Sequence, residues 1–471
     1  AHLYFHNLHY EKFPDGTVKC IEDEIPFELP EGWRWDRLGN VSIIARGGSP
    51  RPIESYITDD ENGINWIKIG DTEKDGKYIF KTKEKIKPEG LSKSRYVESG
   101  DFLLTNSMSF GRPYILRTDG CIHDGWLVIG NIDTVFNQDF LYYALSSYFM
   151  YQTLSLLAAG STVKNLKSDT VKSVLFPIPP MREQKRIAEK IDSLISFVIK
   201  IESDKTDLQT TIQLTKSKIL ELAIRGKLVP QDPNDEPASI LLERIRTEKE
   251  ELIKQGKIKR DKKESVIFKG DDNSYYEKIG DTVTCIDEEL PFDIPENWAW
   301  IRLSSACIIN PKNNISDDTL VSFVPMTLIQ DGYANEFTFE QRKWGEVKKG
   351  FTHFAENDVG FAKITPCFEN RKSVVFRGLC NGYGAGTTEL YILRTFPDTI
   401  MPEYILYIVK TESFLVGGKQ TCAGVVGQQR ISKDYVCDYL VPVPPLNEQE
   451  RIINKCAEIM TMLHNIEKSL S

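Results

Sequence analysis

The sequence predicts an α+β protein that contains two mixed α/β domains, each followed by a long helix. The first observation is a run with heptad spacing that opens with Pro177–Gln184 and continues without another proline or glycine to Gly226. The second is a copy of the same opening, Pro442–Gln449, which lies 265 residues further along the chain. A heptad run indicates a coiled-coil helix, and the copy supplies a partner for it.

The first long helix is predicted by apolar residues at alternating spacings of four and three. Proline is tolerated at a helix start and glycine is typical of a helix end, so Pro177 and Gly226 bound the helix. Roughly 45 residues would span about 67 Å, and their apolar seam needs a partner helix. Lys205 and Thr215 fill two polar seam positions that can set the register. The apolar seam residues are Ile187, Ile191, Leu194, Val198, Ile201, Leu208, Ile212, Ile219 and Leu222.

The second long helix repeats this seam, and the repetition extends beyond the helices. Its seam residues are Ile452, Cys456, Ile459, Leu463, Ile466 and Leu470. Residues 17–35 and 282–300 are related by the same offset of 265, and 11 of their 19 positions are identical. The chain is therefore predicted to be a tandem duplication in which each unit is a globular domain followed by a helix.

Short β-like runs between turn signals, with one helical stretch, predict a mixed fold for each domain. Trp66–Ile69 and Phe102–Thr105 are two such runs. Ser239 is predicted to cap a shorter charged helix between the units. The domains diverge between their shared boundaries, which favours one architecture with two recognition surfaces. The predicted division is a first domain with its lead-in over 1–178, the long helix over 179–226, a linker with the charged helix over 227–268, a second domain over 269–443 and a C-terminal helix over 444–471.

Composition limits the class of protein. With 41% hydrophobic and 27% charged residues, the 471-residue chain resembles ordinary soluble proteins. It has no apolar run near the ~20 residues of a membrane span and no signal-peptide pattern, so a cytoplasmic location is expected. The net charge of -9 argues against non-specific nucleic-acid binding, but it leaves open a local basic cleft or a site shared with a partner subunit. Nine cysteines without a Cys-x-x-Cys pair favour free thiols over disulfides, and neither they nor the six histidines show metal-ligand spacing.

Motifs of catalysis are missing from the sequence. It has no phosphate-binding Gly-x-x-x-x-Gly-Lys-Ser/Thr loop, no dinucleotide-binding glycine motif and no Gly-x-Ser-x-Gly elbow. A DNA methyltransferase would show Asn/Asp-Pro-Pro-aromatic, whereas the double prolines here stand in Ile178–Met181 and Val443–Leu446 and start helices. We therefore expect no catalytic residue and no cofactor in this chain.

Polar and basic residues stand at corresponding places in the two units and are the candidates for DNA contact. One set follows a predicted strand, and the other precedes the proline-rich opening of each helix. Asn, Gln, Arg and Lys side chains can bond base edges and phosphates, although any single one is more often a solvated loop residue. The candidates are Asn106, Ser107, Ser109, Arg112, Lys164, Asn165 and Lys167 in the first unit, and Lys363, Thr365, Asn370, Arg371, Lys372, Gln428, Gln429, Arg430 and Lys433 in the second.

The repeated Pro-x-Pro-Pro-x-x-Glu-Gln-x-x-Ile opening, with a divergent domain before each copy, resembles the specificity subunit of type I restriction-modification systems. The linker Gly226–Gln231 also resembles that family. The resemblance implies that each domain is a target-recognition domain for half of a split double-stranded DNA site and that the helices form an antiparallel coiled coil. It further implies two modification subunits, which methylate adenine with adenosylmethionine, and restriction subunits, which use ATP and Mg.

The second helix of about 25 residues is shorter than the first, and the chain starts at Ala1, so both ends are interpreted as truncated. The seam from Leu208 to Leu222 is expected to lack part of its partner for that reason. An alternative from another class is a coiled-coil scaffold for protein interaction, with two ligand-binding domains and no DNA specificity. A third hypothesis, a fused DNA methyltransferase, is disfavoured by the missing motifs.

Overall fold

The structure is a computed structural model that describes residues 8–73, 76–106, 110–158, 165–260, 264–425 and 427–470. The chain divides into two compact units, Ala1–Ile201 and Glu202–Ser471. Each unit is described separately below.

The first unit is built on two five-stranded sheets, with strand orders β4-β13-β10-β11-β7 and β5-β8-β6-β12-β9. Two strand pairs, β1-β2 and β3-β14, stand beside them. The strands are β1 Tyr10–Lys12, β2 Val18–Cys20, β3 Arg34–Arg37, β4 Ile43–Arg46, β5 Ile57–Thr58, β6 Ile64–Ile67, β7 Tyr78–Ile79, β8 Glu84–Ile86, β9 Arg95–Val97, β10 Phe102–Thr105, β11 Pro113–Leu116, β12 Gly120–Ile122, β13 Trp126–Gly130 and β14 Leu175–Ile178. The helices are α1 Leu38–Val41, α2 Gln138–Ser146, α3 Tyr148–Leu157, α4 Ser168–Lys172 and α5 Met181–Ile224, which continues into the second unit.

Strand β10 lies at the centre of the first unit because both of its faces are apolar. Phe102 and Leu104 point into one buried cluster with α2 and α3, whereas Leu103 points into a second cluster with Trp126 and Ile67. Successive side chains of a strand face opposite sides, so a continuous apolar run suits a strand covered on both faces.

The second unit has the same plan, with four-stranded sheets β19-β26-β23-β24 and β21-β20-β25-β22. A three-stranded sheet β15-β16-β17 and a pair β18-β27 complete its β-structure as described. The strands are β15 Ser265–Lys269, β16 Tyr275–Ile279, β17 Thr282–Cys285, β18 Ala299–Arg302, β19 Cys307–Ile309, β20 Leu320–Val324, β21 Glu340–Lys343, β22 Thr352–Ala355, β23 Val359–Ala362, β24 Ser373–Val375, β25 Tyr383–Gly386, β26 Leu390–Thr395 and β27 Leu440–Val443. The helices are α6 Ala238–Lys254, α7 Leu303–Ala306, α8 Trp344–Val347, α9 Pro402–Lys410, α10 Glu412–Gln420, α11 Lys433–Asp438 and α12 Leu446–Ser469.

The internal repeat is visible in individual side-chain contacts. Arg37 Nη2 donates to Glu11 and Glu24 at 2.8 and 2.7 Å. Arg302, at the same place in the second unit, donates to Glu277 and Glu289 at 2.7 and 2.8 Å. Each arginine thus ties the lead-in hairpin to the strand that opens its domain.

The glutamine of the Glu-Gln motif joins each long helix to its own domain. Gln184 is fully buried, and its Nε2 donates to Pro179 O at 2.9 Å and to Val135 O at 2.8 Å, while its Oε1 accepts from Asn137 N at 2.8 Å. Because Asn137 caps α2, this one side chain links the start of α5 to the start of α2.

Gln449 repeats these contacts in the second unit. Its Nε2 donates to Pro444 O at 3.1 Å and to Thr399 O at 3.2 Å, and its Oε1 accepts from Met401 N at 2.8 Å. Met401 immediately precedes α9, so α12 is fixed to α9 as α5 is fixed to α2. The motif seen twice in the sequence is thus a buried link between a domain and the helix that follows it.

Helices α5 and α12 run antiparallel where they meet in the second unit. Gln213 and Lys216 both donate to Glu467, near the end of α12, at 2.7 Å. Gln231, which follows α5, donates to Glu448 in the first turn of α12. The contacts thus occur in opposite order along the two segments.

The predicted position of the unpaired part of the seam on α5 is wrong. Ile212, Lys216 and Leu220 are buried, although the seam beyond Leu208 was expected to be incomplete. The exposed residues of the predicted apolar seam lie earlier on α5, where Leu194, Val198, Ile201 and Leu208 are 51%, 53%, 49% and 41% exposed.

The antiparallel direction explains this correction. A partner helix that starts at the second domain pairs first with the end of α5 that leads into that domain. The 24 residues of α12 span about 36 Å, roughly half of the 44-residue α5. Ile212 is buried as predicted and Ile219 packs against the main apolar cluster, while Lys216, next to the predicted polar position Thr215, is buried and bonds Glu467.

The predicted linker is also corrected. Leu241, Leu242 and Ile245 of α6 belong to the main apolar cluster of the second unit, so this helix is part of the domain. The helix begins at Ala238 with Pro237 at the capping position, which puts Ser239 inside the first turn. Strand β15 begins at Ser265, before the predicted boundary at residue 268.

Substitution of the buried glutamines tests their role in stability. Gln184→Leu or Gln449→Leu leaves three buried main-chain groups without partners, and we expect the free energy of unfolding to fall by about 2–4 kcal/mol. Urea denaturation followed by tryptophan fluorescence measures this. Gln420→Leu, an exposed glutamine at the end of α10, is the control and should change stability by less than about 0.5 kcal/mol. Equal effects of the buried and exposed substitutions would contradict the assigned role.

Candidate nucleic-acid interface

In each unit, the two predicted sets of contact residues lie on two loops that are joined by main-chain hydrogen bonds. In the first unit, Leu166 N donates to Asn106 O at 2.9 Å. In the second unit, Ile431 N donates to Lys363 O at 3.0 Å. We call each pair of joined loops a loop cluster: residues 105–106 and 110–112 with 165–167 in the first unit, and residues 363–372 with 427–433 in the second.

A third segment, just before β13 or β26, completes each loop cluster in the same way. Asn106 N donates to Gly125 O at 3.0 Å, and Lys363 N donates to Glu389 O at 2.9 Å. These bonds make Asn106 equivalent to Lys363, and Gly125 equivalent to Glu389. Equivalent main-chain frames therefore carry different side chains.

The structure assigns Asn106 a structural role, which corrects its candidacy for DNA contact. Its side chain is 1% exposed, and Nδ2 donates to Asp124 O at 2.7 Å. The amide is thus used to hold two loops together. His123, next to Asp124, accepts from Gly125 N through Nδ1 at 2.7 Å, and burial lowers the pKa of its imidazole.

The remaining candidates of the first unit divide by exposure. Asn165 and Lys167 are exposed, and Lys167 precedes α4. Arg112 is half-buried, with its guanidinium 5.4 Å from the centre of the Tyr114 ring. Ser107, Ser109 and Lys164 lie outside the described residues.

Thr365 and Gln429 join the two loops of the second cluster. Thr365 N donates to Gln429 O at 2.8 Å, and Gln429 N donates to Thr365 Oγ1 at 3.2 Å. Thr365 is buried, so its hydroxyl serves the loop contact. Its candidacy as a base-contacting residue is corrected.

Arg371 and Lys372 are held by the fold, and their candidacy is corrected for the same reason. Arg371 has a φ of 58°, donates through Nε to Lys410 O at 3.1 Å and pairs through Nη2 with Glu412. Lys372 Nζ donates to Ile329 O at 2.6 Å. Both side chains are less than one-fifth exposed.

Lys410, which sequence reasoning missed, fixes the base of this cluster. Its Nζ is buried and donates to Gly332 O at 2.7 Å and to Arg371 O at 3.1 Å. Burial lowers the pKa of Lys410 to about 7, and the nearby Arg371 adds to the effect. In sequence, Lys410 is the last residue of an apolar helix and gives no sign of a buried ammonium group.

Arg430 projects from the second cluster and is oriented by Glu389. Its Nε and Nη2 donate to the two carboxylate oxygens of Glu389 at 2.8 and 2.9 Å, and Nη1 donates to Gln428 O at 3.2 Å. The Arg430 side chain is 46% exposed. The Arg430 guanidinium lowers the pKa of the Glu389 carboxyl, and so strengthens this pair.

Four other candidates of the second unit can contact a ligand from solvent. Asn370, Gln428 and Lys433 are exposed, and Lys433 begins α11. Lys363 is half-buried, with Nζ 5.6 Å from the centre of the Tyr391 ring. Together with Arg430, they give the surface of this cluster amide and cationic donors.

Metal ligands and membrane-spanning helices are two further features of a possible functional site. Across the residues that the structure describes, no group of three or more His, Cys, Asp or Glu side chains is placed to bind a metal ion. Within the same ranges, no helix combines the length and apolar character that crossing a membrane requires.

Comparison with known families and folds assigns the class of protein. Residues 30–210 match the type I restriction modification DNA specificity domain. The structure superposes on the HsdS subunit from Thermoanaerobacter tengcongensis with a TM-score of 0.55 and 18% sequence identity. The superposition covers 95% of this chain and 93% of that subunit, which shows a shared fold. The chain thus shares the fold of that HsdS subunit, and its residues 30–210 match a DNA specificity domain.

Parts of the chain are also similar in sequence to known specificity subunits. The chain is 46% identical to the specificity subunit of the type I restriction enzyme EcoAI from Escherichia coli over 267 residues, which are 56% of this chain and 42% of the relative. It is 44% identical to the EcoEI specificity subunit from the same species over 258 residues. The chain thus spans about two-fifths of the length of these relatives. Over the matched residues it is therefore similar to the specificity subunits of type I restriction-modification systems, the family that its sequence motifs resemble.

Substitution of Lys410 tests the buried ammonium group. The pKa of this group is about 7 in the fold, against an ordinary value of 10.5, so the folded chain binds fewer protons than the unfolded chain between these pH values. The free energy of unfolding of the wild type should therefore rise from pH 7 to pH 8.5 relative to that of Lys410→Met. At pH 7, Lys410→Met also removes the donor of two carbonyls, and we expect the free energy of unfolding to change by about 1–3 kcal/mol.

Urea denaturation at several pH values checks this expectation. Lys419→Met replaces an exposed lysine of the neighbouring helix and should leave the pH dependence of the wild type intact. Parallel pH curves for the wild type and Lys410→Met would show that Lys410 is not the titrating group.

Proposed function

We propose that this chain reads a bipartite double-stranded DNA target, with one loop cluster for each half-site. The observation that carries the proposal is a pair of equivalent main-chain frames with unlike side chains. Asn106 and Gly125 in the first unit correspond to Lys363 and Glu389 in the second. A shared frame with different donors and acceptors suits two modules that recognise different base sequences.

The exposed side chains of the clusters supply the chemistry. Asn165 and Gln428 carry amides that match the edge of adenine, and Arg430 carries donors that match guanine. Lys167 and Lys433 carry charges that suit phosphate. These residues, with Lys363, Asn370 and Gln429, remain the proposed contacts to DNA.

The proposed partners follow from the family. Two modification subunits would methylate adenine with adenosylmethionine, and restriction subunits would use ATP and Mg for cleavage. This chain would supply specificity and no catalytic residue. The antiparallel contact between α5 and α12 supports a predicted coiled-coil spacer between the two modules, which would set the gap between half-sites.

Methylome sequencing of cells that carry the complete system tests the proposal. We expect methylated adenines in a split sequence with two defined half-sites and a fixed gap. Replacing Gln428, Gln429 and Arg430 together by Ala should change one half-site and leave the other intact, because these residues belong to one loop cluster. A control that replaces Arg244 and Gln255, exposed residues at α6, should leave both half-sites intact.

Two results would contradict the proposal. A change in both half-sites would mean that the second loop cluster supports assembly rather than recognition. Equal binding of the assembled complex to all DNA sequences would favour the alternative of a protein-interaction scaffold without DNA specificity.

The salt dependence of binding tests the exposed lysines. If Lys167 and Lys433 each contact a phosphate, Lys167→Ala and Lys433→Ala should each reduce the slope of log K against log salt concentration by about 1, with the same loss for every DNA sequence. Titration of the complex with modification subunits at several salt concentrations measures the slope. Lys254→Ala, on the last turn of α6, is the control. An unchanged slope for both cluster variants would exclude phosphate contact at these positions.

A further inference from the structure

The pairing of Arg430 with Glu389 leaves one edge of the guanidinium for a ligand. The Nε and Nη2 atoms form one edge, and this edge is occupied by the two oxygens of Glu389. The second edge consists of one N–H from Nη1 and one from Nη2. Nη1 has two hydrogens, and its bond to Gln428 O, at 3.2 Å, is longer than the bonds to Glu389 and uses one of them.

The free edge has the geometry that a guanine requires. Two parallel N–H donors fit O6 and N7 of guanine in the major groove, and an arginine contact of this kind is the commonest base-specific one. The side chain is 46% exposed, whereas that of Glu389 is 24% exposed. The carboxylate therefore holds the Nε and Nη2 edge of a guanidinium whose side chain is nearly half exposed.

Orientation by Glu389 also affects the free energy of recognition. A free arginine loses rotamer entropy when it binds a base, whereas an arginine already held by two hydrogen bonds loses less. The pair is also held in place by the main chain, because Lys363 N donates to Glu389 O at 2.9 Å and Arg430 N donates to Ala423 O at 3.0 Å.

Among the residues of the first unit that the structure describes, the positions of this pair are filled by other residues. Gly125 stands at the place of Glu389, as the bonds from Asn106 N and Lys363 N show. Asn165 corresponds to Arg430. Asn165 precedes Leu166, which bonds Asn106, and Arg430 precedes Ile431, which bonds Lys363. A contact made by this pair would therefore belong to one half-site.

We propose that Arg430 reads a guanine in the half-site of the second unit and that Glu389 is the positioning residue that presents its outer edge. The inference rests on the proposed DNA-reading function and deepens it, because it assigns one base to one side chain. It predicts that the half-site recognised by the second unit contains a guanine whose N7 atom contributes to binding.

The test uses the full chain in complex with its modification subunits and DNA that carries the target found by methylome sequencing. Each guanine of the target is replaced in turn by 7-deazaguanine, which has C–H in place of N7. For the wild type, the substitution should weaken binding roughly tenfold at one guanine of one half-site. Arg430→Ala and Arg430→Lys should bind normal and substituted DNA equally at that position, and Glu389→Gln should reduce the difference to about threefold.

A matched pair in the same unit serves as the control. Arg377 Nε donates to Glu403 at 3.0 Å, and Arg377 lies outside the loop cluster. Arg377→Ala and Glu403→Gln should keep the tenfold difference. Arg430→Lys retains the charge, so a loss of N7 sensitivity without a loss of folding separates base recognition from stability.

Several results would overturn the inference. One is wild-type sensitivity at every guanine in both Arg430→Lys and Arg430→Ala, and another is a half-site of the second unit that contains no guanine. Uniformly weaker binding to all DNA sequences, with unchanged N7 sensitivity, would assign Arg430 to a phosphate. If the wild-type complex binds every sequence equally, the proposed function itself fails, which is a distinct outcome.

Discussion

The fully buried glutamine at the start of each long helix is the interaction on which the arrangement of each unit depends. Gln184 and Gln449 each satisfy three main-chain groups that lie on two different segments. A buried amide that bonds both ways can fix a position as well as an angle, because donor and acceptor must be satisfied together. The long helix is therefore a rigid continuation of its domain at this point.

Main-chain hydrogen bonds give the two loop clusters the same frame, and side chains make the two clusters different. The loops of each cluster are joined by bonds between Leu166 and Asn106 in one unit and between Ile431 and Lys363 in the other. These bonds do not depend on residue type. The side chains that project from them differ in charge and hydrogen-bonding pattern, which is what two recognition modules on one architecture require.

The sequence predicted two mixed domains and a resemblance to specificity subunits because these follow from local patterns and from motifs repeated at one offset. Prediction from sequence was wrong for side chains whose hydrogen-bond partner lies far along the chain. Lys372 bonds Ile329, Asn106 bonds Asp124 and Lys410 bonds Gly332, and no local pattern indicates such pairings. Loop composition could therefore not separate residues used by the fold from residues that face solvent. The burial of Lys216 was missed for the same reason, because its partner Glu467 lies 251 residues further along the chain.

The joining of the loops by main-chain bonds has a consequence for the evolution of this protein. Residues at the positions of Asn165 and Arg430 can be exchanged without breaking the bonds that hold the loops together. Replacement at these positions therefore changes the surface of a loop cluster and leaves the main-chain bonds between its loops in place. If the clusters read DNA as proposed, a lineage can acquire a new target through few substitutions.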